Sequence, residues 1–321
     1  MQDDYVKCWR GPARGNNTDS LTMKIFITGG TGFIGSHLVP KLVSRKHRLL
    51  LLTRGKPRKE YGTSVRFVKG DLRNPGVWEG AVRKFKPDAI IHLAWEGIEA
   101  RDFGLDMSSV NLIASLRLIA FAAEIGCKRF LSTGSCWEYG VVGGRVKESD
   151  TLQTPNHVPA FVIAKRAIRD MGERFSIENG MRFLWARLFF VYGPGQRSGS
   201  LIPHLAHSIK DGVNLDIQNK AGGNDFVFVE DVAEALLEIL EKSKEQNAVY
   251  NIGSGRLIGV GKVVREVCKN FHFPVPQWCF SKMRPHGFYA SIAKIKKEIG
   301  WSPKTSLSQG VRKTLAYYQN Q

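Results

Sequence analysis

Thr28-Gly29-Gly30-Thr31-Gly32-Phe33-Ile34-Gly35 packs four glycines into positions 29–35, directly after a short apolar run and directly before a helix-like stretch. Without Cβ atoms such a turn closes tightly and its backbone can approach a pyrophosphate. The helix after it offers free N–H groups and the positive end of its dipole. The chemistry this spacing serves is capture of a dinucleotide. A second position bears on which one. The next strand ends in Leu52-Thr53-Arg54-Gly55-Lys56, where an acidic residue would bond a ribose 2′-hydroxyl and an arginine would take a 2′-phosphate. Arg54, with Lys56 as a second cation, points to NADP(H), with NAD as the alternative; the competing reading has Arg54 stacked beside the adenine. Asp71 in Gly70-Asp71-Leu72 either contacts the adenine or caps the segment after it. His204 and His207 stand three apart with no third ligand at metal spacing, so they read as helix-surface residues and no metal is expected.

These residues need a frame of strands ending in turns and helices, and the chain supplies one repeatedly. Residues 24–28 are a short apolar run, and Ile34, Leu38 and Leu42 then recur at helical spacing. Residues 48–53 carry four consecutive leucines, as a strand buried on both faces should. Further buried runs fall at 65–68, 89–93, 129–132 and 183–187, separated by helix-like segments that include 107–125 and 160–177. This alternation predicts an α/β fold, a Rossmann-type doubly wound parallel sheet. Beyond about Pro194 the elements shorten and loops increase, ending in a helix-like stretch near 311–318. The expected organisation is a loose extension over 1–22, a dinucleotide-binding domain over 23–190, and a smaller mixed α/β part over 191–321 that mainly binds substrate.

Composition narrows the class. The chain has 321 residues, 43% hydrophobic, with five cysteines. That excludes a disordered chain, a collagen-like chain and a disulfide scaffold. No run approaches 18 apolar residues and the start lacks a basic region leading into an apolar one. Neither a membrane span nor a secretory signal is therefore expected. Cys8, Cys127, Cys136, Cys268 and Cys279 then read as free thiols in a reducing cytoplasm. The net charge of +18 attracts polyanions. Its clusters at 54–59, 83–86 and 294–297 are separate, however, and no aromatic platform of the RNA-binding kind is present. Nucleic acid is not the expected partner; a solvated basic surface is, and its field would also favour a small anionic ligand.

Taken in order, further motifs join the glycine turn. They are His92-Leu93-Ala94-Trp95, Asn111, the stretch Ser132-Thr133-Gly134-Ser135-Cys136-Trp137-Glu138-Tyr139-Gly140, Lys165, and Arg187-x-Phe189-x-Val191-Tyr192-Gly193-Pro194-Gly195-Gln196. Asn224-Asp225-Phe226, Asn251-Ile252-Gly253-Ser254-Gly255 and Gly300-Trp301-Ser302-Pro303 come after them. From about Lys24 to Tyr318 the chain resembles the extended short-chain dehydrogenase/reductase family, the NAD-dependent epimerase/dehydratase group acting on nucleotide sugars. Residues 134–140 are most similar to branches that reduce 4-keto-6-deoxy sugars on a nucleotide carrier. The resemblance implies cofactor contacts at Gly29, Thr31, Gly32, Phe33, Ile34, Gly35, Arg54, Asp71, Leu72, Leu93, Ala94, Asn111 and Lys165. It implies Ser135 against the oxygen of the reacting sugar carbon, Lys165 on the nicotinamide ribose, substrate contacts at Arg197 and Asn224, and a homodimer formed through the helices over 107–125 and 160–177.

One departure matters most. The family's tyrosine stands four residues before the lysine, one helical turn away. Here that position holds Phe161, which keeps the ring and loses the proton. Tyr139, Tyr192, His157 and Cys136 are the candidates to replace it; otherwise the chain is a trapped variant or a dinucleotide-binding protein without turnover. Cys136 and Trp137 occupy the positions of the dehydratases' acid and base, which disfavours that subtype, and Glu138 reads as a packing or capping residue. Many relatives clamp the diphosphate with an arginine where this chain has Asn224, leaving Arg197, Arg284 and Lys282 to do that work.

Overall fold

The computed structural model describes residues 22–55, 61–97, 103–155, 157–213, 215, 217–281 and 284–319. Lys56, Lys282, Cys8 and nearly all of the expected N-terminal extension lie outside them.

Seven strands form one parallel sheet: β1 Lys24–Thr28, β2 Arg48–Thr53, β3 Val65–Lys69, β4 Ala89–His92, β5 Arg129–Ser135, β7 Arg182–Leu188 and β11 Asn247–Ile252. Their spatial order is β11-β7-β5-β4-β1-β2-β3, every neighbouring pair parallel. The order reverses at β1, which opens a crevice beyond the carboxyl ends of β1 and β4. This is the expected Rossmann-type α/β fold. Helices α1 Phe33–Ser44, α2 Pro75–Phe85, α3 Leu105–Glu124 and α4 Pro159–Asn179 connect the first strands. Short strands β6 Gly144–Val146, β8 Phe190–Tyr192, β9 Gly223–Asn224, β10 Phe226–Phe228, β12 Ile258–Gly259 and β13 Phe288–Ala290 make small accessory pairs. Helices α5 Leu201–Lys210, α6 Val229–Lys242, α7 Val260–Phe271, α8 Ala293–Ile299 and α9 Leu307–Gln319 complete the order.

Burial explains the run of leucines: Leu49, Leu50, Leu51 and Leu52 are all buried, split between the core layers on the two sheet faces. The first layer also holds Val232, Leu236, Leu240 and Ile252. Residues beyond 190 thus give the sheet its edge strand β11 and the helix α6 that packs beside α1. A separate core joins α5, α7 and α9 around Leu205, Val263 and Val311.

Helix α3 is apolar overall without a continuous apolar run. Over its 20 residues it is long and apolar enough to cross a bilayer. Here it belongs to the helical layer, where Leu118, Ile119 and Ala122 pack with Phe26 and Ile168 in the core. Less than half of the helix is buried, and Leu105 and Ile113 stand exposed.

Candidate functional site

The glycine turn has the tightness that its sequence demands. Gly29 sits at φ +74°, and a Cβ there would lie 2.6 Å from the backbone of Leu93 and Ala94. A Cβ on Gly35 would collide with the Gly29 carbonyl and come within 2.6 Å of Gly30. Gly32 donates its N–H to the Gly29 carbonyl at 3.0 Å and caps α1 with no side chain bonded to the helix end. With no acidic residue in that first turn, the free N–H groups of α1 fit a pyrophosphate. Thr31, Phe33 and Ile34 stand partly exposed around this end, as do Leu93 and Ala94 after β4.

At the ends of β2 and β3 four charges meet. Arg54 Nη1 bonds Glu96 Oε1 at 2.9 Å and lies 3.9 Å from Asp71, while Arg73 pairs with Asp71 at 2.7 Å and with Glu96 at 3.4 Å. The Arg73 hydrogen bonds hold the Asp71 carboxyl down at about 2, against the opposing effect of burial. Arg54 is 64% exposed, so a 2′-phosphate can reach it but must compete with Glu96. Glu96 was not singled out from the sequence; it comes from the loop after β4, and no local motif marks it. Leu72 is partly buried beside this cluster. Asn111, expected at the cofactor, bonds the loop after β4. Its side chain is spent on the Glu96 N–H, the Glu96 carbonyl and the Met107 carbonyl, so it pins the loop that carries Trp95 and Glu96.

The other end of the crevice gathers Ser135, Phe161 and Lys165. Ser135 ends β5 and caps a 3-10 turn over Cys136–Tyr139; its Oγ accepts the Trp137 N–H at 3.2 Å. Glu138 completes a reciprocal capping box by accepting the Ser135 N–H at 2.8 Å. It is fully buried and also takes Trp185 Nε1 and Arg187 Nε, each at 3.0 Å. Gly134 leaves the room that this carboxylate fills. The expectation that Glu138 packs or caps agrees with this geometry.

Lys165, on α4, donates Nζ to the Thr133 carbonyl at 2.9 Å and stands 4.0 Å from the centre of the Trp95 ring. Burial pulls its pKa down to about 7, opposed by the charge of Glu138. One turn earlier, the Phe161 ring meets Trp95 at 5.0 Å, Phe103 at 5.2 Å and Trp137 at 6.0 Å, all edge to face. Trp95, Phe103 and Trp137 thus form an aromatic enclosure where a phenol would otherwise sit. Their enclosing role was invisible in sequence because they come from three segments.

Three of the four candidates to replace that phenol are sequestered. Tyr139 is fully buried, donates to Asn251 Oδ1 at 2.8 Å and accepts from Arg187, and burial raises its pKa to about 12. Tyr192 is buried in the core of the C-terminal helices, and burial pushes its pKa up. Cys136 is buried and its thiol is pushed up for the same reason. His157 alone is exposed, its ring 4.5 Å from Trp137.

Arg197 bonds Ser200, and Asn224 lies on β9 opposite Ile258; neither bonds the residues around Ser135 and Lys165 among the described contacts. Asp225 beside it is buried and ties together Ser254, Gly255 and Ala290. His204 and His207 are exposed on α5, and among the described residues no cluster suited to a metal ion occurs.

Comparison with known proteins bears on the family and the fold. Residues 25–253 match the NAD dependent epimerase/dehydratase family. CDP-abequose synthase of Salmonella typhimurium is 26% identical over 307 residues, covering 91% of this chain and 97% of its own. A trifunctional UDP-glucose 4,6-dehydratase/UDP-4-keto-6-deoxy-D-glucose 3,5-epimerase/UDP-4-keto-L-rhamnose-reductase of Arabidopsis thaliana is 26% identical over 317 residues, covering 92% of this chain but only 46% of its own length. Among solved structures, MoeE5 in complex with UDP-glucuronic acid and NAD superimposes with a TM-score of 0.80 at 24% identity, over 92% of this chain and 99% of that one. UDP-glucose 4-epimerase of Thermotoga maritima gives 0.79 at 24% identity, over 93% and 99%. A match across most of the chain, on the fold and glycine turn just described, identifies it: this chain belongs to the NAD-dependent epimerase/dehydratase family.

Proposed function

We propose that the chain is an NAD(P)-dependent oxidoreductase or epimerase acting on a nucleotide-activated sugar, with hydride transfer at a sugar carbon, C4 ketoreduction above all. The observation that carries this reading is the continuous run of contacts along the crevice. Gly29 touches Leu93 and Ala94, Trp95 carries Lys165, and Lys165 bonds the strand that ends in Ser135. The nicotinamide cofactor supplies the hydride. Ser135 holds the sugar oxygen, Lys165 holds the nicotinamide ribose, and the free N–H groups of α1 hold the pyrophosphate. Arg54 supports NADP(H), with NAD as the alternative. Arg197 and Asn224 face the nucleotide-sugar. His157 brings the proton that Phe161 lacks.

The apolar enclosure of Phe161 favours a second reading, dinucleotide binding with little or no turnover. Removing one general acid costs about 10²–10⁴ in rate, so slow catalysis and none are both compatible with a phenylalanine here. The test follows loss of NADPH and NADH absorbance with UDP- and dTDP-linked 4-keto-6-deoxy sugars. Oxidation that falls on the order of 100-fold in Ser135→Ala supports the enzyme. Tight cofactor binding with no oxidation leaves the second reading. We also propose a homodimer formed through α3 and α4, whose exposed Ile113, Ile163, Met171 and Ile177 would be covered. A cytoplasmic location is consistent with Cys127, Cys136, Cys268 and Cys279 being free and buried. Light scattering on the full chain checks the dimer.

A further inference from the structure

Lys165 is buried, and an ammonium brings three N–H donors and a full charge with it. Among the described residues its one hydrogen-bond acceptor is the Thr133 carbonyl, at 2.9 Å. Phe161, one turn earlier, offers it no oxygen, and Glu138 spends its own oxygens on Ser135, Trp185 and Arg187. A buried charge with a single partner is costly. The second partner here is aromatic. Nζ stands 4.0 Å from the centre of the Trp95 ring and 5.8 Å from that of Phe161, both within the reach of a cation–π attraction. Trp95 in turn is fixed from both sides. Before it, Leu93 donates its N–H to the Thr28 carbonyl at 3.0 Å, and Gly29 leaves no room for a Cβ against Ala94. After it, the Asn111 side chain holds both the N–H and the carbonyl of Glu96. The Phe161 ring, 5.0 Å away and at 80°, abuts the same indole.

We propose that Trp95 is a positioning residue for Lys165, its ring standing in for the phenol oxygen that Phe161 lacks and holding the ammonium against the Thr133 carbonyl. The inference rests on the proposed role of Lys165 at the nicotinamide ribose. An aromatic face attracts the ammonium and not the neutral amine, so it opposes burial, which lowers the Lys165 pKa. Two titratable groups among the described residues also act on this lysine. Glu138, on the 3-10 turn, favours its charge. His92, at the end of β4, is held neutral by its own burial, its pKa lowered to about 3. Lys165 is thereby kept beside β5, on the strand that ends in Ser135.

The test compares Trp95→Leu, which keeps an apolar side chain and removes the ring, with Trp95→Phe, which keeps a smaller ring. Trp95→Met is the second ring-free variant should Trp95→Leu fail to fold. Denaturant titrations across pH, with the matching Lys165→Met curve subtracted in each background, cancel the histidines and isolate the lysine. Its folded-state midpoint, about 7 in the native chain, should fall by about one pH unit in Trp95→Leu. Trp95→Phe should recover about half of that shift or more. NADH affinity by calorimetry gives the second readout. Trp95→Leu should weaken it about fivefold where Lys165 is present, and under about twofold when combined with Lys165→Met. An unmoved midpoint would overturn the proposal. An equal loss of NADH affinity with and without Lys165→Met would overturn it too, since Trp95 would then act on its loop alone. Undiminished NADH affinity in Lys165→Met would refute the ribose contact of the proposed function, and the midpoint then decides the role of Trp95.

Discussion

At the glycine turn, the contacts that shape the crevice lie within residues 29–35 and against the backbone at Leu93 and Ala94. At its other end, the Phe161 ring is enclosed by Trp95, Phe103 and Trp137, while Ser135 rests on Glu138, Trp185 and Arg187. The first region is a backbone device whose requirement is the absence of side chains. The second is a side-chain device whose properties depend on distant partners. A backbone anion site of this kind does not depend on which residue stands at position 161.

The largest expected effect belongs to the side-chain end. Glu138→Ala leaves Arg187 buried without its carboxylate and should cost about 3–5 kcal/mol. Thermal unfolding checks this, and a change below about 1 kcal/mol would mean that the network does not hold Ser135. Next comes the backbone end. Gly35→Ala must open the turn, so cofactor affinity by calorimetry should fall on the order of 100-fold with modest loss of stability. A variant that binds cofactor as well as wild type would break the contrast between the two ends.

Lys165 sharpens the comparison through pH. Its folded pKa, about 7, lies below the usual 10.5, so between these values the unfolded chain holds a proton that the folded chain has released. Stability from this group therefore rises with pH across that window and is lowest below pH 7. In Lys165→Met that part of the rise should vanish in denaturant titrations. The smallest effect is at the charge cluster. Glu96→Gln releases an exposed arginine, and such pairs are worth about 0.2–1 kcal/mol, so the preference for NADPH over NADH should rise by about fivefold at most.

The same division decided what could be read from sequence. The sheet was legible because each strand is a compact apolar run, and the glycine turn because its requirement is local. Lys165 and Phe161 were legible because one helical turn fixes their spacing. Glu96, Phe103 and the Glu138–Arg187 pair were not, since each acquires its role only through partners distant in sequence. The bonds of Asn111 to the Glu96 backbone were not legible for the related reason that Glu96 lies 15 residues away on another segment. Helix α3 was legible as a helix-like segment, but its overall apolarity was not, because that content is spread over 20 residues without a continuous run.

Restoring the phenol tests the central claim most directly. Phe161→Tyr should raise the rate of nicotinamide oxidation with a nucleotide-linked 4-keto-6-deoxy sugar by about 10²-fold or more, with cofactor affinity unchanged. A variant no faster than wild type, or inactive with every nucleotide-linked sugar tried, would contradict the assignment of Ser135, Phe161 and Lys165 as the hydride-transfer site.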